Sequence, residues 1–350
     1  MSLKTTTALG LHMPLHFLLK AEARTLSLPK VLAMTDLDAF ALFRRMRWGD
    51  GEDVTCPHCG TIHRHYFRPA RLIWRCAACG DDFSVTSGTV FAHHKLPLRL
   101  YLAAAMLYTN AVKGISALQM ARDLGVQHKT AYVLLHKLRE SLHPMDDQPL
   151  QGEVHMDGAY VGGIVRPENR KEDRADRRLA ENQSPDKRCI VVMRECHAAN
   201  DEGVGAKRTL TFIVKKETQA AMGKLVPEHV AAGAVICADE SDAYDLLHAK
   251  YAVRRVNHSQ EYRAEDGTTN NQAESYFSRL RRMQIGQIHK VSVKYLDVYA
   301  NEIAYREDTR RWANGRIFND IITRCARTPT SRDWCGYWQG NKRAQERLAA

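Results

Sequence analysis

Two Cys-x-x-Cys pairs, Cys56-Pro-His-Cys59 and Cys76-Ala-Ala-Cys79, constrain this chain more tightly than any other feature of its 350 residues. Sixteen residues separate the pairs, and a glycine, Gly60 or Gly80, follows each. The short loop turns both thiolates to one side, the glycine relieves the turn, and two such knuckles close a four-thiolate zinc site. A redox dithiol would need one pair in a thioredoxin-like setting. Structural Zn²⁺ on Cys56, Cys59, Cys76 and Cys79 is therefore expected. The nine cysteines, an odd number, fit reduced thiols rather than a disulfide framework. Between the knuckles run His63, Arg64, His65, Tyr66, Phe67, Arg68, Arg71, Trp74 and Arg75. In this basic, aromatic hairpin, Arg64, Arg68, Arg71, Trp74 and Arg75 are expected to meet phosphates or bases.

The net charge of +11 and pI near 9.2 point the same way, since surplus Lys and Arg displace the counterions of a polyanion. At 44% hydrophobic and 26% charged the chain is ordinary globular material, long enough for more than one domain. No apolar run approaches the about 20 residues of a membrane span. The N-terminus mimics a signal peptide, with Lys4, then Ala8 to Leu19, then Ala21-Glu22-Ala23, but His12, Pro14 and His16 interrupt its apolar core. Residues 1–33 are read as an extension ahead of Met34, because a helix pattern starts at Asp36. From Asp36 to Trp48, Leu37, Phe40, Phe43 and Met46 fall at helical spacing.

Pro97 to Asn110 forms an apolar helix, and Gly114 to Arg139 follows with Ala121, Gly125, Val126, Ala131 and Leu134 where a helix-turn-helix needs them. Gln127, His128, Lys129 and Tyr132 would then open a recognition helix facing DNA. A plain helical hairpin gives the same pattern. Beyond Pro149, residues 151–157, 188–194, 208–215, 233–239 and 251–256 read as strands, and Glu217 to Val230 as a helix that Pro227 should shorten. The mixed-charge insert from Arg166 to Arg188 reads as a solvated loop.

Asp157 and Asp239 close apolar strand-like runs, and Glu274 rides the basic helix of residues 270–282. Acids at strand ends sit at the rim of a sheet. Converging carboxylates suit Mg²⁺ or Mn²⁺, which prefer oxygen ligands, and phosphodiester chemistry on such ions needs no Ser, Cys or His nucleophile. Each acid alone has an ordinary reading: a turn, a helix N-cap, a surface residue. Glu274 and Arg281, seven apart on one helical strip, are placed to meet a metal and a phosphate respectively, and Arg279 and Arg282 extend the positive surface.

Over about residues 35–325 the chain resembles bacterial insertion-sequence transposases of the IS1595 type, whose catalytic part is called the ISXO2-like domain. The resemblance rests on Arg47-Trp48, both Cys pairs, Ser87-Gly-Thr-Val-Phe91, Gly114-Ile-Ser-Ala-Leu118, Lys129-Thr-Ala-Tyr132, His136-Lys-Leu-Arg139, Asp157 with Tyr160-Val-Gly-Gly163, Asp239-Glu-Ser-Asp-Ala-Tyr244, Asn257-His-Ser259, and the segment from Asn271 through Leu296, Tyr299, Glu302, Arg306 and Arg310. It implies an α/β, RNase H-like catalytic domain, a mixed sheet flanked by helices, preceded by a zinc ribbon and a helix-turn-helix-like region. Residues 34–92 would be the short helix and ribbon, 93–148 the helical DNA-binding region, 149–312 the catalytic domain with its insert at 166–188, and 313–350 a basic tail.

It further implies a cytoplasmic, nucleoid-associated DNA transposase that binds terminal inverted repeats, cleaves strands and joins them to target DNA, at least as a dimer. Asp157 and Asp239 match the family's aspartates. Glu274, 34 residues beyond Asp239, fits the third place, with Asn271 as the alternative ligand. Arg281 stands where the family commonly has Lys, and Tyr295 and Asp308 replace an expected His and Asn. A non-enzymatic DNA-binding regulator and a general metal-dependent nuclease are the alternatives.

Overall fold

The computed structural model describes residues 17–63, 65–93, 95–163, 168–176, 179, 182, 184–198, 205–256 and 269–349. Arg64, the Asn257-His-Ser259 motif, residues 1–16 of the segment 1–33 and parts of the charged insert lie outside them. In chain order the elements are α1 (Leu28–Leu32), α2 (Asp36–Trp48), the short ribbon strands β1 (Val54–Thr55), β2 (Ile62–His63), β3 (Tyr66–Arg68), β4 (Ile73–Arg75) and β5 (Asp82–Phe83), then α3 (Leu98–Asn110), α4 (Ala117–Leu124) and α5 (His128–Glu140). A second set follows: β6 (Glu153–Val161), β7 (Arg188–Cys196), β8 (Ala206–Val214), α6 (Gln219–His229), β9 (Val235–Asp239), β10 (Ala252–Val256), α7 (Asn271–Met283), α8 (Leu296–Asp308) and α9 (Asn314–Arg327).

Local chemistry accounts for most of these boundaries. Thr35 and Asp38 form a reciprocal capping box that starts α2. Ser116 caps α4 by accepting from the Gln119 amide, and Gly125, left-handed at φ +64°, ends it in the tight turn the sequence predicts before α5. In α2 Phe40 and Phe43 are buried and Met46 packs against the same core, as the spacing predicts, while Leu37 is exposed and Ala39 and Leu42 are buried instead. Pro227 does not stop α6, which continues through His229.

The sheet runs β10-β9-β6-β7-β8, with β6, β7 and β8 antiparallel and β9 and β10 parallel to β6. Its alternating pleat feeds two cores. On one face Val154, Met156, Val191, Met193, Ile236 and Ala238 pack with Met222, Leu225 and Tyr244 from α6 and the turn of 3₁₀ helix at Asp242–Ala249. On the other, Ile190, Val192 and Ile213 pack with Ala273, Phe277 and Leu280 of α7 and Ile303 of α8. A separate core gathers the ribbon, α2, α3, α5 and α9, including Phe43, Phe83, Phe91, Leu102, Leu135 and Phe318.

Two devices join these bodies. Arg139 of α5 and Arg306 of α8 both pair with Glu302, at 2.7 and 2.8 Å, with all three side chains almost fully buried. The residues after Arg327 form a strap. Val90 N–H donates to Thr328 O (2.9 Å), Trp334 stacks on His136 at 4.3 Å, Arg343 pairs with Asp297 and Asp333 (2.6 and 2.8 Å), Glu346 pairs with Arg188 (2.7 Å), and Ala349 N–H bonds Ile213 O (2.9 Å). The segment expected as a basic tail is thus a packed helix followed by a tie across the molecule, with Arg324, Arg343 and Arg347 paired to acids. The segment before Met34 also packs: Val31 is fully buried and Asn314 accepts from Leu26 N–H at 3.0 Å.

Candidate metal centre and nucleic-acid surface

The ribbon brings its four thiols together. Cys56 and Cys79 lie 3.8 Å apart, Cys59 and Cys76 3.6 Å, and all four sulfurs fall within 4.8 Å of one another. A tetrahedral ion with Zn–S bonds of about 2.3 Å requires sulfur edges of about this length, so the cradle fits zinc. His65 knits the knuckles: buried, it takes the Ala77 amide on Nδ1 (3.2 Å) and faces Val54 O with Nε2 (3.1 Å).

The sheet brings the acids together. Pairing between β6 and β9 ends at His155 with Cys237, two residues short of both Asp157 and Asp239, and the period of two puts both carboxylates on the face toward α7. Asp157 does not close its strand as the sequence suggests. Gly158 to Val161 stay paired with Val191 to Arg188, so β6 continues as a hairpin arm after β9 has stopped. The place of Asp157 is the notch where the parallel neighbour ends.

Burial, then Asp239, Glu217 and Glu274, raise the Asp157 carboxyl to about 7, opposed by the Gly158 amide, which bonds Oδ1 at 2.8 Å. Asp239 Oδ1 accepts from Ser241 N–H at 3.1 Å, and Ser241, not Asp239, caps the 3₁₀ helix that follows. No Lys or Arg among the described residues forms an ion pair with Asp157, Asp239 or Glu217.

Glu217 escaped the sequence reading. It lies just before Thr218, the N-cap of α6, and its carboxylate fills the space that a Cβ at Gly158 would need. The Tyr244 hydroxyl donates to it, and its own N–H donates to the Tyr160 hydroxyl at 3.2 Å. Burial pushes its carboxyl up, with Asp239 adding to the effect. An acid beside a helix cap is ordinary in sequence, so only the partners at Gly158, Tyr160 and Tyr244 reveal it.

Helix α7 carries Glu274 to the same face, half-buried, and Glu274 contributes to the field at Asp157. Asn271 is exposed at the first residue of the helix. The seat of α7 comes from residues the sequence did not single out. Buried Asn270 donates to Met156 O (2.9 Å), His155 Nδ1 accepts from Gln272 N–H (3.4 Å), and Arg194 donates to Gln272 O and to Ser275 Oγ (2.5 and 2.9 Å). Glu153, His155 and Cys237 also cluster within metal-ligand range. Both His155 nitrogens are engaged, however, Nε2 with Glu153 at 3.0 Å and Nδ1 with the Gln272 amide at the start of α7.

The expected DNA-facing residues divide. Gln127, His128 and Lys129 are exposed on the first turn of α5, Arg71 and Arg75 are exposed on the ribbon, and Arg281 and Arg282 are exposed on α7. Arg68 is half-buried and pairs with Asp82 at 3.0 Å. Trp74 is 5% exposed, stacked between Phe40 and Phe83 and edge-on to Trp48. Tyr132 is half-buried against His136, Trp334 and Tyr337. Arg279 binds Glu307 and the Val112 carbonyl. Trp74, Tyr132 and Arg279 therefore hold the fold in place, each for the same reason: a large side chain that sequence puts on a basic face finds an apolar or acidic partner in another element.

Residues 149–308 match the family model of the ISXO2-like transposase domain, and residues 34–82 that of the transposase zinc-ribbon domain. An uncharacterised protein in transposable element ISH50 of Halobacterium salinarum is 26% identical over 253 residues, covering 69% of this chain and 80% of that protein. With the ribbon, its thiolate cradle and the acid-bearing sheet matched in one order, the chain belongs to the IS1595 transposases that carry the ISXO2-like domain.

Proposed function

We propose that this protein is a DNA transposase that binds the inverted repeats at the ends of its element, hydrolyses a strand there to expose a 3′-hydroxyl, and directs that hydroxyl at target DNA. One observation carries the reading: Asp157 and Asp239 stand side by side where β6 outlasts β9, with Glu274 swung toward them on α7 and no ion-pair partner for either aspartate among the described residues. A notch that raises a carboxyl to about 7 is costly to keep charged without a cation. The fit to hard divalent ions lies in the donor set, three carboxylates on three elements. Mg²⁺ or Mn²⁺ held by Asp157, Asp239 and Glu274 would lower the pKa of the attacking hydroxyl and stabilise the leaving oxygen. Glu274 rather than Asn271 is the third ligand in this reading, since Glu274 is the one whose charge acts on Asp157.

The strand order, three antiparallel strands with two more parallel to the first, supports an RNase H-like assignment for residues 149–312. Arg281 and Arg282 would hold the phosphate backbone beside the acids, the guanidinium gripping it bidentately. The ribbon's Arg71 and Arg75 and the first turn of α5 would grip the element end. Pairing two ends calls for at least a dimer on DNA, in a bacterial cytoplasm. Asp157→Ala or Asp239→Ala should abolish Mg²⁺-dependent cleavage and strand transfer while end binding persists. Cleavage retained by either variant sinks the assignment.

A further inference from the structure

The C-terminal strap does more than tie the molecule together. Between residues 334–341 of the strap and the start of α5 runs a cleft of about 680 Å³. Lys95, Lys129, Lys137 and His93 line it, and among the described residues no Asp or Glu does. Its outer wall is aromatic. Trp338 is 65% exposed, with the Lys95 ammonium 4.9 Å from its ring centre. Tyr337 has Lys129 and Lys342 at 5.6 and 5.5 Å and is backed by Trp334 and Tyr132, at 5.3 and 6.2 Å. The core takes the large aromatics Trp74 and Trp334 almost completely, so Trp338 contributes little to folding where it stands.

We propose that this cleft binds an unpaired nucleotide of the DNA strand that passes the first turn of α5, its base stacked on Trp338 and its phosphates held by Lys95, Lys129 and Lys342. The volume lies in the range of about 300–1,000 Å³ typical of small-ligand clefts, far too small for a duplex. Flat rings and ammonium groups, with no competing carboxylate, are the combination that holds single-stranded nucleic acid without reading its sequence. The stack of Trp334 and Tyr132 behind Tyr337 fixes that part of the aromatic wall, next to Trp338, in advance, so less side-chain freedom is lost on binding. Gln127 and Lys129 belong both to the cleft and to the exposed turn of α5, which makes the two surfaces continuous.

The inference rests on the reading of the chain as a DNA-binding transposase, and the test separates the two. The intact protein is titrated, by fluorescence anisotropy, with a blunt duplex of the element end and with the same duplex bearing a short oligothymidine overhang. Wild type should bind the overhang form about tenfold tighter, and Trp338→Ala, an exposed substitution, should bind both forms equally. Lys95→Ala should lower the salt slope for the overhang form alone. An overhang preference that survives Trp338→Ala, or no preference in wild type, overturns the cleft assignment and leaves the transposase reading standing. Failure of wild type to bind either duplex overturns both.

Discussion

Glu302 and Asp157 are both carboxylates drawn out of water, and their surroundings treat them in opposite ways. Burial pushes Glu302 up, but Arg139 and Arg306 outweigh it and hold the carboxyl below its usual range. Asp157 has the burial without the guanidinium and has other acids around it, so it rises to about 7. The first arrangement fixes one geometry, joining α5 to α8 with a charge satisfied on both sides. The second stores repulsion that only a proton or a cation relieves. Within one molecule, what surrounds a buried acid separates an element of architecture from a candidate site.

The largest effects should come from exchanging these roles. Asp157→Asn removes charge from the notch and should cost about a thousandfold in metal-dependent cleavage, equivalent to about 4 kcal/mol of barrier, with no loss of stability in the metal-free protein near pH 8. A stability loss at that pH would mean that Asp157 is an architectural acid like Glu302. Glu302→Ala should do the reverse, costing about 3–5 kcal/mol in denaturant unfolding because it strands Arg139 in the interior. Replacing the triad together, Arg139→Met and Arg306→Met with Glu302→Leu, should recover much of that loss.

The comparison also has a pH signature of opposite sign. Asp157 in the fold sits well above the ordinary Asp value of 3.8, so between about 4 and 7 the folded state keeps a proton that the unfolded chain has lost. Stability of the metal-free protein should therefore fall as pH rises through that window and level off above it. Glu302, lowered below its usual value of 4.5, supplies stability that is complete above that pH and disappears only in stronger acid. Mg²⁺ should stabilise the protein far more at pH 8 than at pH 5, because it competes with the proton on Asp157. Thermal unfolding across this range, with and without Mg²⁺ and in Asp157→Asn, measures each arm; a decline unchanged by the substitution would point to another group.

Much of this contrast was legible in the sequence, for identifiable reasons. The thiolate cradle, the helix-turn-helix-like pair and the five strands follow from spacing, glycine turns and alternation, which are local signals. Asp157 and Asp239 stood out because charge interrupts apolar runs. Glu217 did not, since its role depends on Gly158 and Tyr244, which are distant in sequence. Glu302, Arg306 and Arg139 belong to recognisable motifs, yet nothing local says that they bind one another across 163 residues. Trp74 and Arg279 show the converse: residue type suggested a DNA contact, and tertiary packing supplied Phe83 and Glu307.

Smaller effects should sort residues within α7 itself. Asn270→Ala loses the bond to Met156 O that seats the helix and should cost about 1–2 kcal/mol of stability. It should also weaken Mg²⁺ binding through the displaced Glu274, whereas Asn271→Ala, at an exposed position, should leave both nearly unchanged. Arg279 and Arg281 make the finest version of the contrast, two arginines on one helix, one facing Glu307 and one facing water. Arg281→Ala should reduce the slope of log affinity against log salt by about 1 for duplex DNA and change stability by less than about 0.5 kcal/mol. Arg279→Ala should leave the slope intact and lower stability, because Glu307 then loses its closest guanidinium and is left with Arg194 and Arg310, at 3.5 and 3.6 Å, and the Ser275 hydroxyl at 3.2 Å. Interchanged results would place the DNA on the Arg279 side of α7, against Glu307 of α8 rather than beside Glu274 and the notch at Asp157.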